Sequence, residues 1–283
     1  MKSAESKSEA ERHEANSDSP PHLLTSSPLQ KVVIAGIRVD NLSEDETLDR
    51  IERLVSSGGS HYMAVVNAVK VVAASRDSEL MRALAKADLV TADGMSVVWA
   101  ARLVGRRLKE RVTGIDIFER LLERATARGW SVYFLGAREH AVEALVERLI
   151  ARHPRLRIAG YRNGYFETNE SDSVAGAIKR SSADLLFVAM GSPAQERWID
   201  ENLEKAGVKF ALGVGGSFDH VSGLVPRAPA WMQRAGLEWL HRLVREPRRL
   251  WRRYLVGNTL FIFLIAKQII KGKTDRDAMA GNS

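Results

Sequence analysis

The stretch ADLVTADGMSVVWAARLVG, residues 87–105, ends a short apolar run in Asp93 and Gly94 and passes at once into a helical pattern. An Asp-Gly pair at a strand-to-helix turn puts a carboxylate where backbone amides converge and solvent enters, which is where open α/β sheets carry their chemistry. Aspartate is also a favoured helix cap, so the pair alone leaves capping and proton transfer both open. Four more polar or glycine-rich turns follow apolar runs: Asn67 after MAVV, Gly136 after VYFL, GSPAQE at 191–196 and GVGGSFDH at 213–220. Glycine at such turns lets backbone amides approach a ligand, and a helix N-terminus favours phosphate. The series points to a cleft for a nucleotide or a sugar nucleotide.

Several other chemistries fail on the residues. The chain has no cysteine, which removes thiol catalysis, disulfides and Cys-based zinc sites. A dinucleotide enzyme calls for G-x-G-x-x-G after the first strand. Here that position reads GIRVDNL, and the late GVGG lacks the third glycine. A soluble Rossmann-type nucleotide-sugar oxidoreductase is therefore the alternative reading, not the leading one. Walker A and HExxH are absent, the Asp275-Arg276-Asp277 triplet lies in a polar terminus, and the seven histidines have no ligand spacing. No metal and no cofactor is expected.

The charge that could meet a diphosphate lies near the C-terminus. HRLVREPRRLWRRYL carries Arg242, Arg245, Arg249 and Arg252 at three- and four-residue spacings, so they can share a helix face, with Leu243, Leu250, Trp251 and Tyr254 nearby. Residues 227–273 hold eleven Lys or Arg against two Glu, a local balance of +9 in a chain of net charge +7, so the remainder is at −2. A basic helix with Trp, Tyr and Leu reads as an interfacial element on an anionic membrane. A nucleic-acid-binding tail is the competing use of the same charge, and the Trp and Leu content fits lipid better.

These groups need a frame to position them. From residue 31, KVVIAGIRVD, HYMAVVN, DLVTAD, WSVYFLG, LRIAGYRNGYF, ADLLFVAMG and VKFALGVGG read as strands, and helical stretches with apolar periodicity separate most of them. The expected fold is α/β: a Rossmann-like, mainly parallel sheet with helices on both faces, plus a basic amphipathic helical C-terminal appendage. The domain plan is a disordered leader at 1–30, which lacks an apolar h-region, a Rossmann-like domain at 31–230, the appendage at 231–273 and a disordered tail at 274–283. The apolar run at 255–270 is interrupted by Gly257, Asn258 and Lys267 and is short for a spanning helix.

Taken together, ADLVTADGMSVVWAARLVG, ERVTGIDIFERLL, VYFLGA, LRIAGYRNGYF, GSPAQERWI and the long segment from GVGGSFDH to RRYLVGN resemble the WecG/TagA/CpsF family of bacterial glycosyltransferases over about residues 32–258. The resemblance implies an inverting, metal-independent enzyme that moves a sugar from a UDP-sugar to a polyprenyl-diphosphate-linked acceptor at the cytoplasmic face of the bacterial inner membrane, in cell-surface polysaccharide synthesis. N-acetylmannosamine, its uronic acid, glucuronic acid and glucose are all donors consistent with such a family, and a homo-oligomer is left open. Carried over by position, Asp93 becomes the general base, and Arg111 and Gln195 contact the donor or its phosphates. In the late glycine turn, Gly215, Gly216 and Asp219 are placed for the nucleotide, while Asn67, Gly94 and Gly136 of the other strand-end turns are expected to bind substrate, and Arg242, Arg249 and Arg252 serve the diphosphate or the membrane-bound acceptor. One departure is plain: many members have Thr two residues before the Asn of the second-strand turn, and Val65 stands there in this chain.

Overall fold

The computed structural model describes residues 30–280; the side chains of Arg249, Arg253 and residues 273–280 are outside that description. The expected leader, apart from Gln30, and residues 281–283 of the expected tail lie outside the described residues. Six parallel strands form one sheet: β3 (His61–Val66), β4 (Leu89–Ala92), β5 (Ser131–Gly136), β6 (Arg157–Arg162), β7 (Leu185–Ala189) and β8 (Phe210–Gly213), in the order β4-β3-β8-β7-β5-β6. Both faces are covered, which explains why most of the strands are largely apolar instead of alternating, the half-exposed edge strand β6 being the exception. On β3, Tyr62, Ala64 and Val66 join the core on one face while Met63 and Val65 join the core on the other.

The first expected strand is instead a hairpin. Residues 31–40 divide into β1 (Lys31–Ile34) and β2 (Ile37–Asp40), an antiparallel pair separate from the main sheet. Ala35 and Gly36 both take positive φ, 46° and 87°, the backbone that a two-residue hairpin turn requires. The buried Asp40 joins the hairpin to the sheet edge: its Oδ2 accepts the N–H of Val90 at 2.8 Å, and Lys31 neutralises it at 3.0 Å.

Helices then alternate with the strands. Helix α1 (Glu44–Ser57) opens on a capping box between Ser43 and Glu46, a signature the strand-by-strand reading passes over. Its Leu48, Ile51, Leu54 and Val55 sit on the same core as α5 (Gly114–Arg128), α6 (Glu139–Arg152) and α9 (Ser217–Val221). On the opposite face lie α2 (Ala68–Ala74), α3 (Ser78–Lys86), α4 (Met95–Leu103), α7 (Ser171–Ser181) and α8 (Ala194–Ala206). Residues 68–86 form two helices and not one, because Asp77 caps α3, accepting the amides of Glu79 and Leu80.

The strands do stop before residue 230. There follow α10 (Ala230–Arg234), α11 (Glu238–Arg245) and α12 (Pro247–Ala280), a 34-residue helix. Within α12, Leu250–Gly272 is long and apolar enough, by length and composition alone, to cross a membrane. Part of it is nonetheless docked on the body. Phe261 and Ile265 are buried with the α2–α4 core, and Gln268 accepts the N–H of Ala35 and donates to the carbonyl of Val33 in the β1–β2 hairpin, at 2.7 and 2.8 Å.

Candidate active site

The ends of β3, β4 and β8 open on one cavity of about 720 Å³, whose lining runs from Asn67, Asp93 and Gly94 through Arg111, Gly216 and Asp219 to α11 and α12. Asp93 does not cap the helix that follows it: the cap position of α4 is Gly94, with no side-chain bond. The carboxylate turns to another element, where its Oδ1 accepts the N–H of Gly114 in the first turn of α5 at 3.1 Å. The loop before α5 is drawn along the end of β4 for this purpose, with Val112 N–H on the Ala92 carbonyl at 3.0 Å and Thr91 Oγ1 on the Val112 carbonyl at 3.2 Å. That same loop brings Arg111 to the cavity. Space at Gly94 is tight: a Cβ there would lie 3.2 Å from Cβ of Asn67 and 3.3 Å from Oγ of Ser96. Asn67 caps α2 by accepting the N–H of Lys70 at 3.0 Å, and it lines the cavity as well.

Charged groups that the sequence reading did not single out surround Arg111. Glu238 on α11 accepts from Arg111 Nη1 at 2.5 Å and from Arg227 Nε at 3.3 Å, and Arg227 Nη1 reaches Asp116 at 2.7 Å. The appendage is thereby ion-paired to the loops of the body. Burial alone would raise the carboxyl of Asp116, yet the hydrogen bonds from Arg227 and Thr113 outweigh it and hold the group below the usual carboxylate range. Glu238 thus holds the Arg111 guanidinium within the cavity lining.

Helix α9 carries Asp219 and His220 into the lining, and its own anchor is Phe218, buried among Phe118 and Phe134 with ring centroids 5.7 Å away in each case. His220 Nδ1 is 2.9 Å from the Val225 carbonyl, an acceptor only, so Nδ1 carries the proton and Nε2 is left as a base. Burial, first among the causes, pushes this imidazole below its usual 6.5. The unfolded chain therefore binds the proton first as pH falls, and stability present above about pH 6.5 is lost below it. We expect the melting temperature to drop between about pH 7.5 and 5.5, and the drop to shrink in His220→Asn, which keeps a donor for Val225; melting curves at the two pH values check it.

Other expected site residues sit elsewhere. Gln195 is buried at 2 % exposure and is outside the lining. Its Oε1 accepts the N–H of Gly215 at 3.0 Å and its Nε2 donates to Glu196, which is paired in turn with the buried Lys70 at 2.6 Å. In this structure, Gln195 thus fixes the glycine turn after β8 from beneath. Gly215 takes φ +55° in that turn and Gly216 reaches the cavity. Gly136 is also outside the lining; its φ is +132° and a Cβ would fall 2.5 Å from the Ala189 backbone, so strand packing requires the glycine. Of the tail arginines, Arg242 lines the cavity with Arg245, whereas Arg252 stacks on Trp251 at 5.3 Å. The side chain of Arg249 lies outside the described residues. Val65, in place of the family's Thr, is buried with its Cγ2 3.3 Å from where a Cβ on Gly114 would stand, so it packs under the turn that holds Asp93.

A protein from Bacillus subtilis, N-acetylglucosaminyldiphosphoundecaprenol N-acetyl-beta-D-mannosaminyltransferase, is 36 % identical over 193 residues, which is 68 % of this chain and 74 % of that protein. A protein of the same name from Bacillus spizizenii is 40 % identical over 172 residues, 61 % of this chain and 66 % of its own length. Among solved structures, that of the Gly74Cys mutant of arylmalonate decarboxylase in the sulfate ion associated form covers 66 % of this chain and 77 % of its own, at 14 % identity and a TM-score of 0.23, too low for any argument. The family model of the glycosyl transferase WecG/TagA/CpsF family matches residues 32–275, nearly the whole of the sheet and the appendage. The chain belongs to the WecG/TagA/CpsF family of glycosyltransferases.

Proposed function

We propose that the protein transfers a sugar, by single displacement with inversion and without a metal ion, from a UDP-sugar to a glycan on a polyprenyl diphosphate, working as a peripheral enzyme at the cytoplasmic face of the membrane. The names of both Bacillus relatives favour N-acetylmannosamine as the sugar and an N-acetylglucosaminyl diphosphate lipid as the acceptor. The observation that carries the reading is the place of Asp93, a carboxylate oriented by a backbone amide at the polar end of a cavity whose other end is apolar. An acceptor hydroxyl gains acidity as it bonds to the anomeric carbon, and a carboxylate within hydrogen-bond reach takes its proton late in that step. Negative charge then grows on the departing UDP. Arg111, released from Glu238 as the diphosphate replaces that carboxylate, and Arg242 offer fixed positive charge to it.

The Gly215-Gly216 turn lets the donor's nucleotide part approach the backbone, and Gln195 keeps the turn in place. The basic, Trp-bearing appendage adds attraction to an anionic membrane surface. UDP release from a panel of UDP-sugars, measured with a prenyl-diphosphate-linked N-acetylglucosamine and excess EDTA, tests the reading. We expect acceptor-dependent release from one donor at an undiminished rate in EDTA. Loss of release in EDTA, restored by a divalent ion, would replace the arginines with a metal as the stabiliser of the leaving group.

A further inference from the structure

The cavity is divided in chemistry along its length. Carboxylates, arginines and glycine turns crowd one end, while the other is walled by Trp99 and Leu103 on α4 and by Phe261, Ile265 and Ile269 on α12. These residues recur at four-residue steps, so each helix presents one apolar stripe to the space between them. Trp99 and Leu103 keep 48 % and 66 % of their surface exposed. Protein interiors normally close such a gap by packing, and large apolar side chains left facing it lose hydrophobic stabilisation. A UDP-sugar is polar throughout and has no use for this wall.

We propose that the apolar half of the cavity, between α4 and α12, seats the first isoprenyl units of the acceptor's lipid chain. The proposal rests on the acceptor reading above and gives that acceptor a place and a direction. From Met95 to Leu103 the α4 wall rises about 12 Å, and from Asn258 to Ile269 the α12 wall rises about 16 Å. That length takes a few isoprenyl units, and the remainder of the chain must leave for the bilayer. The far end of α12 is held at the β1–β2 hairpin by Gln268, which keeps the wall in register with α4. Leu255, Phe263 and Ile270, exposed elsewhere on α12, supply apolar surface toward the lipid into which the chain would pass. With its diphosphate at Arg245, the lining arginine not given to the donor, an acceptor held this way brings its sugar hydroxyl toward Asp93.

The test is a series of N-acetylglucosaminyl diphosphates carrying one to four isoprenyl units, assayed without vesicles with the full chain. We expect kcat/KM to rise at least tenfold along the series and then level off as the groove fills. Leu103→Asp and Trp99→Ala, both at exposed positions and verified as folded by circular dichroism, should flatten the rise to threefold or less. Equal transfer to every chain length overturns the groove while leaving the acceptor class standing. A rise that survives both substitutions assigns the chain to another surface and overturns it too. No transfer to any of the series, with UDP still bound, defeats the acceptor reading itself and the groove's occupant with it.

Discussion

Asp93→Asn lowers kcat for sugar transfer by about 10²- to 10⁴-fold, the range that a positioned general base contributes, with UDP affinity and melting temperature close to those of the unchanged protein. The expectation follows from how the carboxylate is held. Asparagine has nearly the same shape, and its carbonyl oxygen can still accept the N–H of Gly114, so the turn between β4 and α5 survives. What it lacks is basicity. Gly94, and not Asp93, takes the capping position of α4, so the substitution costs the helix no cap. Steady-state kinetics with a saturating donor, alongside UDP titration and a melting curve, separate the loss of chemistry from loss of structure. Undiminished turnover would remove Asp93 from proton transfer and leave His220, with an unprotonated Nε2 in the same lining, as the group to test next.

Deletion of residues from 242 onward has the second large effect, and it acts through three losses at once. Arg242 and Arg245 leave the polar end of the cavity, α12 leaves its apolar end, and nine of the eleven Lys and Arg of residues 227–273 go with them. We expect turnover on a lipid-linked acceptor to fall at least tenfold, and sedimentation with anionic liposomes to fall sharply. Polybasic surface contributes about 1 kcal/mol per Lys or Arg near such a membrane. The body should still fold, because the six-stranded sheet and nearly all of both its cores are built before residue 230, and among the described residues of the deleted segment only Leu250, Gly257, Phe261 and Ile265 are buried. A truncated protein that sedimented as well as the full chain would show that the anchor lies elsewhere.

Much of this was legible in the residues. The apolar runs that became β3 to β8, the turns that end them, and the basic C-terminal segment all stand where the sequence places them, because burial on both faces of a parallel sheet leaves an unmistakable pattern. The hairpin at 31–40 was not legible as such. Its turn depends on Ala35 adopting positive φ, which an alanine rarely does and which no local signal announces. Helix α1 was legible but overlooked, since Ser43 and Glu46 spell a capping box.

The site divides in a similar way. Sequence by itself determined the fold class, the strand-end turns, the carboxylate at Asp93 and the concentration of positive charge at one end of the chain. Only the tertiary structure decided which polar groups reach a ligand and which are held inside. Gln195 and Gly136 sit at turns of the expected kind, yet one is bonded to Gly215 beneath the surface and the other lies against the backbone of Ala189. Glu238, singled out by no motif, and His220, the last residue of GVGGSFDH but given no role there, both stand at the cavity. The physical reason is distance along the chain. Periodicity reports burial and backbone form over a few residues, whereas the partner of Arg111 is 127 residues away and that of Lys70 is 126, so their pairing exists only once the sheet and the appendage are assembled.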